Sequence, residues 1–144
     1  MSDASKETAR AIRGMDVVYT IYPVVGAGAT AGAAVADAAA PNTFTAADVV
    51  LVALNAITVE YWFCGVCVSA ASGAENYVVD IRNPIDVTSI YSFRCSISAV
   101  TPNLGQYTPP IPVRCAPNSS TGARSASVSG TDSVTLSILT ATGL

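Results

Sequence analysis

The stretch from Ile57 to Ile81, ITVEYWFCGVCVSAASGAENYVVDI, constrains the fold more than any other part of the chain. It contains the only tryptophan, and β-branched and aromatic residues fill two runs on either side of a break from Ala70 to Glu75. Runs of this kind around a Ser-Gly break predict two strands joined by a loop. Because both faces of the first run are apolar, we expect that strand in the middle of a packed domain.

Further strands are predicted downstream. From Val87 to Ile97 apolar residues recur at every second position, with Ser89 and Ile90 as exceptions, which is typical of a half-buried strand. Five prolines between Pro102 and Pro117 predict loop and edge strand in the stretch that follows. Upstream, Val17 to Tyr22 predicts a strand, whereas Thr45 to Ala56 fits a short helix or a buried strand, and the surrounding β signals favour the strand.

The last part of the chain predicts a β-hairpin. Small and apolar residues alternate with serines from Ser125 to Ser129, Gly130-Thr131-Asp132 forms the turn, and the alternation resumes from Ser133 to Ile138. The Ser/Thr face of this hairpin is uncharged. Since such a face on a sheet edge invites pairing, we expect it to be covered or to lie at a subunit contact.

These patterns predict an all-β protein, an antiparallel, jelly-roll-like β-sandwich. The chain of 144 residues suits one domain, which we place at residues 17–144, after an N-terminal arm at residues 1–16. Apolar residues make up 51% of the chain, enough for a single core, and the 12% of charged residues leave a surface of Ser, Thr, Asn and Ala. The expected core includes Trp62, Val66, Tyr91, Phe93, Val134, Leu136 and Ile138.

The arm is expected to be helical or extended. Asp3 can cap a short helix that Gly14 ends, but its apolar face is too thin for a stable helix on its own. It is either a solvated tail or an arm that docks on a partner through Lys6, Arg10, Ile12 and Arg13. Its six charges do not fit a secretory signal, so we expect synthesis in the cytosol without export by the usual route.

Several function classes are disfavoured by the composition. A net charge of −3 without a basic stripe argues against nucleic-acid binding. The uncharged stretch from Val17 to Ala36 contains Pro23 and three glycines, so we expect no membrane span. With no histidine, the commonest general base and metal ligand is missing, and Glu75 with Asp80 is the only carboxylate pair that an enzyme could use. We therefore expect no enzyme, catalytic residue, cofactor or metal.

Two motifs resemble known sites without completing them. The glycines of residues 24–31, VVGAGATA, fit a dinucleotide fingerprint, but the region where its acidic residue belongs is the loop PNTFT. Cys64 and Cys67 form a Cys-x-x-Cys motif after Trp62, but nothing opens a helix there, and on a strand they should point to opposite faces. We expect four reduced, structural thiols; a disulfide, if one forms, is expected between Cys95 and Cys115.

From Val59 to Thr140 the order of segments resembles a known group. A Trp-led strand is followed by GAENYVVDI (Gly73 to Ile81) and by PPIPVRCAPNSSTGARSASVSGTDSVTLSIL (Pro109 to Leu139). This pattern resembles that of tailed-bacteriophage virion proteins with small β-sandwich domains. The resemblance does not include residues 1–56 and rests on no invariant chemical motif.

The resemblance implies a structural virion protein. The leading hypothesis is a capsid decoration (cement) protein that binds and reinforces a phage head lattice, with the major capsid protein and two further copies of itself, in a homotrimer, as partners. The alternative is a tail or head fibre module that recognises a host surface. Either protein is made in the host cytoplasm and located in the virion.

Overall fold

A computed structural model describes residues 17–23, 32–98 and 105–144, and all regular structure in these ranges is β. The strands are β1 (Val18–Tyr22), β2 (Ala33–Ala36), β3 (Val49–Val52), β4 (Tyr61–Ala71), β5 (Asn76–Asn83), β6 (Thr88–Ser96), β7 (Gln106–Tyr107), β8 (Val113–Cys115), β9 (Thr121–Ser127) and β10 (Ser133–Thr142). Within the described ranges no helix is long and apolar enough to cross a membrane. The arm, residues 1–16, and the glycine motif, residues 24–31, lie outside them.

The strands form two antiparallel sheets. In the first sheet β1 and β2 pair one after the other along one side of β10, β4 pairs along the other side, and β7 and β8 pair one after the other along the far side of β4. The second sheet has the order β3-β9-β5-β6. Counting β1/β2 and β7/β8 as one interrupted strand each, the first strand pairs with the last, the second with the second-to-last, and so inward to β5 and β6.

This pairing is that of one long hairpin rolled up into two four-stranded sheets, a jelly roll, as the sequence predicted. The sheets enclose a core to which every strand except β1 and β7 contributes buried apolar side chains, and Tyr22 of β1 and Tyr107 of β7 are partly buried against it. A row of aromatic rings runs from one sheet to the other: Phe63 lies 5.8 Å from Tyr91, Tyr91 lies 5.7 Å from Phe93, and Phe93 lies 4.4 Å from Tyr107 between ring centroids. These contacts hold the two sheets together on the side where β6 of the second sheet lies next to β7 of the first.

The predicted core is mostly confirmed. Val66, Phe93, Val134, Leu136 and Ile138 are buried, and Tyr91 is partly buried against them.

Trp62 is the exception, and its placement in the core was wrong. Its neighbours Tyr61 and Phe63 are fully buried, and because successive side chains of a strand point to opposite faces, Trp62 lies on the outer face and is only half-buried. β4 is a central strand of the first sheet, but its outer face is partly exposed rather than packed.

The predicted C-terminal hairpin was also wrong. β9 belongs to the second sheet and β10 to the first, so the turn after Ser127 carries the chain across the sandwich. Gly130 (φ 78°) and Thr131 (φ 64°) make this crossing, and a Cβ on Gly130 would lie 2.8 Å from the carbonyl oxygen of Ala39. Only glycine tolerates that approach without strain.

The serine face of β9 is covered, as expected, but by the protein's own core. Ser125 and Ser127 point inward beside Val79 and Tyr77 of β5. The Ser125 hydroxyl donates to the carbonyl oxygen of Val35 (3.0 Å), and the Ser127 hydroxyl accepts the backbone N–H of Gly130 (3.0 Å). Buried hydroxyls require such partners, which explains why serine is tolerated here.

Other predicted strands are confirmed with adjusted bounds. The ambiguous segment from Thr45 to Ala56 contains strand β3, and the proline-rich stretch contains β7 and β8 at the sheet edge. The break in the alternation of β6 has a structural cause. Ile81 pairs with Tyr91 and Arg82 with Ser89, so Ile90 is the extra residue of a β-bulge.

Candidate functional site

One edge of the first sheet is formed in part by β1, an exposed apolar strand. In β1 the side chains of Val18, Tyr19 and Ile21 are 57%, 62% and 53% exposed, and the strand has no charged residue. One side of β1 pairs with β10, and no strand of the described ranges pairs with its other side. Sheet edges of this kind are usually protected by charge, because their free N–H and C=O groups can pair with another chain. We call Val18, Tyr19 and Ile21 the β1 edge.

The predicted contact residues Lys6, Arg10, Ile12 and Arg13 lie outside the described residues. The arm that contains them leads directly into β1 in the sequence. Only a few residues separate Arg13 from the β1 edge, so a partner bound by the arm would also lie close to that edge.

A second apolar feature lies in the β5–β6 turn. Ile85 and Val87 are both exposed there, and Val87 has a φ of 54°, a backbone conformation that strains a β-branched residue. The turn is held by Asn83, whose Oδ1 accepts the N–H of Ile85 (2.9 Å) and whose amide donates to Asp86 (3.0 Å). Two aliphatic side chains are thus presented by a constrained loop.

Asp80 is the centre of a polar network on the outer face of the second sheet. Its Oδ1 accepts hydrogen bonds from the hydroxyls of Ser89 (2.6 Å) and Ser92 (2.8 Å). Its Oδ2 lies 3.0 Å from both Nε and Nη2 of Arg124, and Nε donates a hydrogen bond to it. Phe44, from the segment between β2 and β3, lies 4.5 Å above the Arg124 guanidinium. Burial raises the pKa of Asp80, but these hydrogen bonds and the arginine outweigh it, so the pKa is lowered.

This network occupies Asp80, one member of the carboxylate pair that the sequence offered. Asp80 is saturated, and Glu75, at the other end of β5, accepts the backbone N–H of Ser129 (3.0 Å) and its hydroxyl. Five residues along a strand separate two side chains by about 16 Å, too far for them to act on one bond. The structure therefore does not bring together the pair that the sequence offered.

Beside the Asp80 network the same face has an open groove of about 570 Å³. Val78 and Ala126, paired in register, form its floor, Phe44 stands on one side and Arg94, opposite Val78, on the other. The lining residues with exposed polar side chains, besides Arg94, are Asn42, Asn76 and Ser96. Sequence reasoning did not find this groove; its only signal was Arg94 on the polar parity of β6, because the segment around Phe44 comes from a distant part of the chain.

The Cys-x-x-Cys motif differs from the prediction. Gly65 pairs with Leu139 and Phe63 with Thr140, so Cys64 is the extra residue of a β-bulge. The bulge changes the alternation by one residue, and Cys64 and Cys67 therefore share the outer face, where both line one shallow depression. Both are half-exposed, whereas Cys95 and Cys115 are buried, and all four cysteines are free.

We expect a thiol-reactive maleimide to label two cysteines per native chain, Cys64 and Cys67. Burial, with a smaller contribution from Asp37, raises the pKa of Cys95 to about 11, and burial also raises the pKa of Cys115, so these thiols are both inaccessible and unreactive. The protein is labelled before and after unfolding, and mass spectrometry of its peptides identifies which cysteines carry the label.

The double variant Cys64→Ser/Cys67→Ser is the control, because it should take up label only after unfolding. Rapid native labelling of Cys95 would contradict the burial that the fold gives it.

Among the described residues no group of three or more Cys, Asp or Glu side chains is arranged to hold a metal ion. Comparison of the chain with protein-family models, with curated proteins and with solved structures finds no match.

Proposed function

We propose that this chain is a structural virion protein, a capsid decoration protein that binds and reinforces a phage head lattice. The observation that favours this role most is the β1 edge, an uncharged, exposed sheet edge that directly follows the arm. Burial of its three large side chains at a contact provides the hydrophobic contribution to attachment. Hydrogen bonds from the backbone groups on its open side orient the partner strand. The major capsid protein is the proposed partner, and a homotrimer the proposed form of the protein.

The arm adds a second, electrostatic contribution in this proposal. Ile12 would be buried at the contact, and Lys6, Arg10 and Arg13 would meet an acidic capsid surface. Exposed charge contacts weaken with salt, because the Debye length falls from about 10 Å at 0.1 M to about 3 Å at 1 M. Attachment through the arm should therefore be salt-sensitive, and attachment through the β1 edge should not.

Co-sedimentation with empty capsids of the virus that encodes the chain tests this proposal. Full-length protein should co-sediment at low salt and less at high salt, whereas a chain lacking residues 2–14 should bind weakly at both. Ile21→Lys, which places a charge on the β1 edge, should weaken binding of the full-length chain at least tenfold.

Val128→Lys is the matched control, since Val128 is as exposed as Ile21 but belongs to the turn after β9. It should bind as the wild type does. Absence of binding by the full-length chain under all conditions would refute the decoration role.

The groove favours a second candidate function, a tail or head fibre module that recognises a host surface. A concave site with one cation and several amide and hydroxyl groups suits recognition of a small ligand better than attachment to a lattice. Loss of a decoration protein lowers the heat stability of the particle, whereas loss of a fibre module lowers adsorption to the host, so the two roles can be separated.

A further inference from the structure

The polar side chains of the second sheet's outer face fall into two classes. Around Asp80 every charged group has a partner: Arg124 binds Asp80, and Arg82 binds Asp48 at 2.6 Å. In the adjoining groove the polar side chains are exposed and face outward. Four of them have no hydrogen-bond or ion-pair partner among the side chains of the described ranges: Asn42, Asn76, Arg94 and Ser96.

Arg94 is the one charged side chain among the residues that line the groove. Asp80 neutralises Arg124, and Glu75, just before β5, keeps its negative charge but is held by hydrogen bonds from the N–H and the hydroxyl of Ser129, which lower its pKa. Among the described residues Arg94 therefore has no ion-pair partner. A guanidinium offers five donors in a fixed plane and no acceptor, so its best partner is a carboxylate bound by two parallel hydrogen bonds.

The other three polar groups have different requirements. Carboxamides and hydroxyls both donate and accept, and therefore match ligand groups that do the same, above all hydroxyls. Between them, Val78 and Ala126 give an apolar floor of short side chains next to the Phe44 ring. The groove thus combines one anion-binding group, several hydroxyl-binding groups and an apolar surface on which a ring can lie.

A peptide is a poorer fit than a small ring compound. β5 is paired on both sides along the floor. β9 pairs with β5 on one side, and on the other side of Ala126 the segment after β2 covers it, through the bridge of Asp37 with Ser125 and the hydrogen bond from the N–H of Asn42 to the carbonyl oxygen of Ser127. An extended peptide that binds by adding a strand needs a free edge, which the floor of the groove does not have. The ligand must be held by side chains, in a volume of the size that small-molecule sites have, about 300–1,000 Å³.

We propose that the groove binds a carboxylate-bearing sugar residue, such as a uronic or a sialic acid, at the surface of a glycan. Arg94 binds the carboxylate, Asn42, Asn76 and Ser96 bind hydroxyls, and the apolar face of the ring lies on Val78 and Ala126. This site lies on the second sheet and the β1 edge on the first, so the proposal does not depend on attachment to a capsid. The proposal names a ligand for the second candidate function, a fibre module that recognises a host surface.

Calorimetric titration of the full chain with glucuronate and with N-acetylneuraminate tests the proposal. Glucose and acetate are the paired probes, since one has the hydroxyls without the carboxylate and the other the carboxylate without the hydroxyls. At least one acidic sugar should bind at least tenfold more tightly than both paired probes. Arg94→Gln should weaken that binding at least tenfold.

Arg114→Gln is the matched control, because Arg114 is an exposed arginine of the first sheet that pairs with Glu60 far from the groove. It should bind the sugar as the wild type does, and unchanged melting temperatures show that both variants fold. Equal binding of glucose, equal binding of acetate, unchanged binding by Arg94→Gln, or no binding of either acidic sugar overturns the proposal. Tighter binding of an acidic peptide also overturns it.

Discussion

Phe63→Ala is expected to lower the free energy of unfolding by about 3–5 kcal/mol, enough to unfold much of a marginally stable domain. Phe63 is fully buried, and its ring meets that of Tyr91 across the two sheets. The substitution therefore removes apolar burial and leaves a cavity at the place where the aromatic row joins the sheets. Urea denaturation followed by circular dichroism measures the loss.

The neighbouring residue provides the control. Trp62 lies on the outer face and is half-buried, so Trp62→Ala should cost about 1 kcal/mol, as partly exposed sites typically do. The larger side chain is thus expected to have the smaller effect. Equal losses in the two variants would place Trp62 in the core and contradict the face that the structure assigns to it.

Asp80→Asn is expected to cost about 3 kcal/mol. Removing one partner of a buried ion pair typically costs about 3–5 kcal/mol, and the partial exposure of Arg124 puts this case at the low end. An asparagine has one acceptor oxygen instead of two, so either Arg124 or the hydroxyls of Ser89 and Ser92 lose the oxygen to which they donate. Denaturation at neutral pH compares the variant with the wild type.

The same carboxyl predicts a pH dependence. Because the pKa of Asp80 is lower in the folded than in the unfolded protein, its contribution to stability is fully present above the unfolded value of about 3.9 and is lost as the pH falls through the folded value. Asp80→Asn should therefore lose less stability on acidification than the wild type. Parallel acid profiles of the two proteins would show that Asp80 does not titrate as its hydrogen bonds imply.

The strands could be predicted because their signal is local. Alternation identified β6, and apolar runs around a small-residue break identified β4 and β5. Which face of β4 points inward was not predictable, since Trp62 and Phe63 are equally apolar and only the position of the second sheet decides between them. The bulge at Cys64, which depends on pairing with β10, was invisible for the same reason.

The predicted hairpin and the groove show the same limit at larger distances. A glycine turn between two alternating segments looks alike in sequence whether the segments pair or pass to different sheets. Here the turn packs against the distant segment at Ala38 and Ala39, which the local pattern does not reveal. The groove requires Phe44 and Asn42 to lie beside Arg94, which is some fifty residues away in the chain. Such juxtapositions follow from the order in which the strands pair. Of that order the sequence predicted only the class, an antiparallel, jelly-roll-like sandwich.

The pairing of first strand with last has a consequence for synthesis. Val18 pairs with Thr142, and β5 with β6 is the only pairing of consecutive strands in the described part of the chain. Contacts so distant in sequence require closure of large loops and make folding slow. As the nascent chain leaves the ribosome, the β5–β6 ribbon can form early, but the first sheet lacks its central strand until Thr142 has emerged. A growing polypeptide therefore has β1 without its partner strand until β10 has left the ribosome, and the first sheet can form only then.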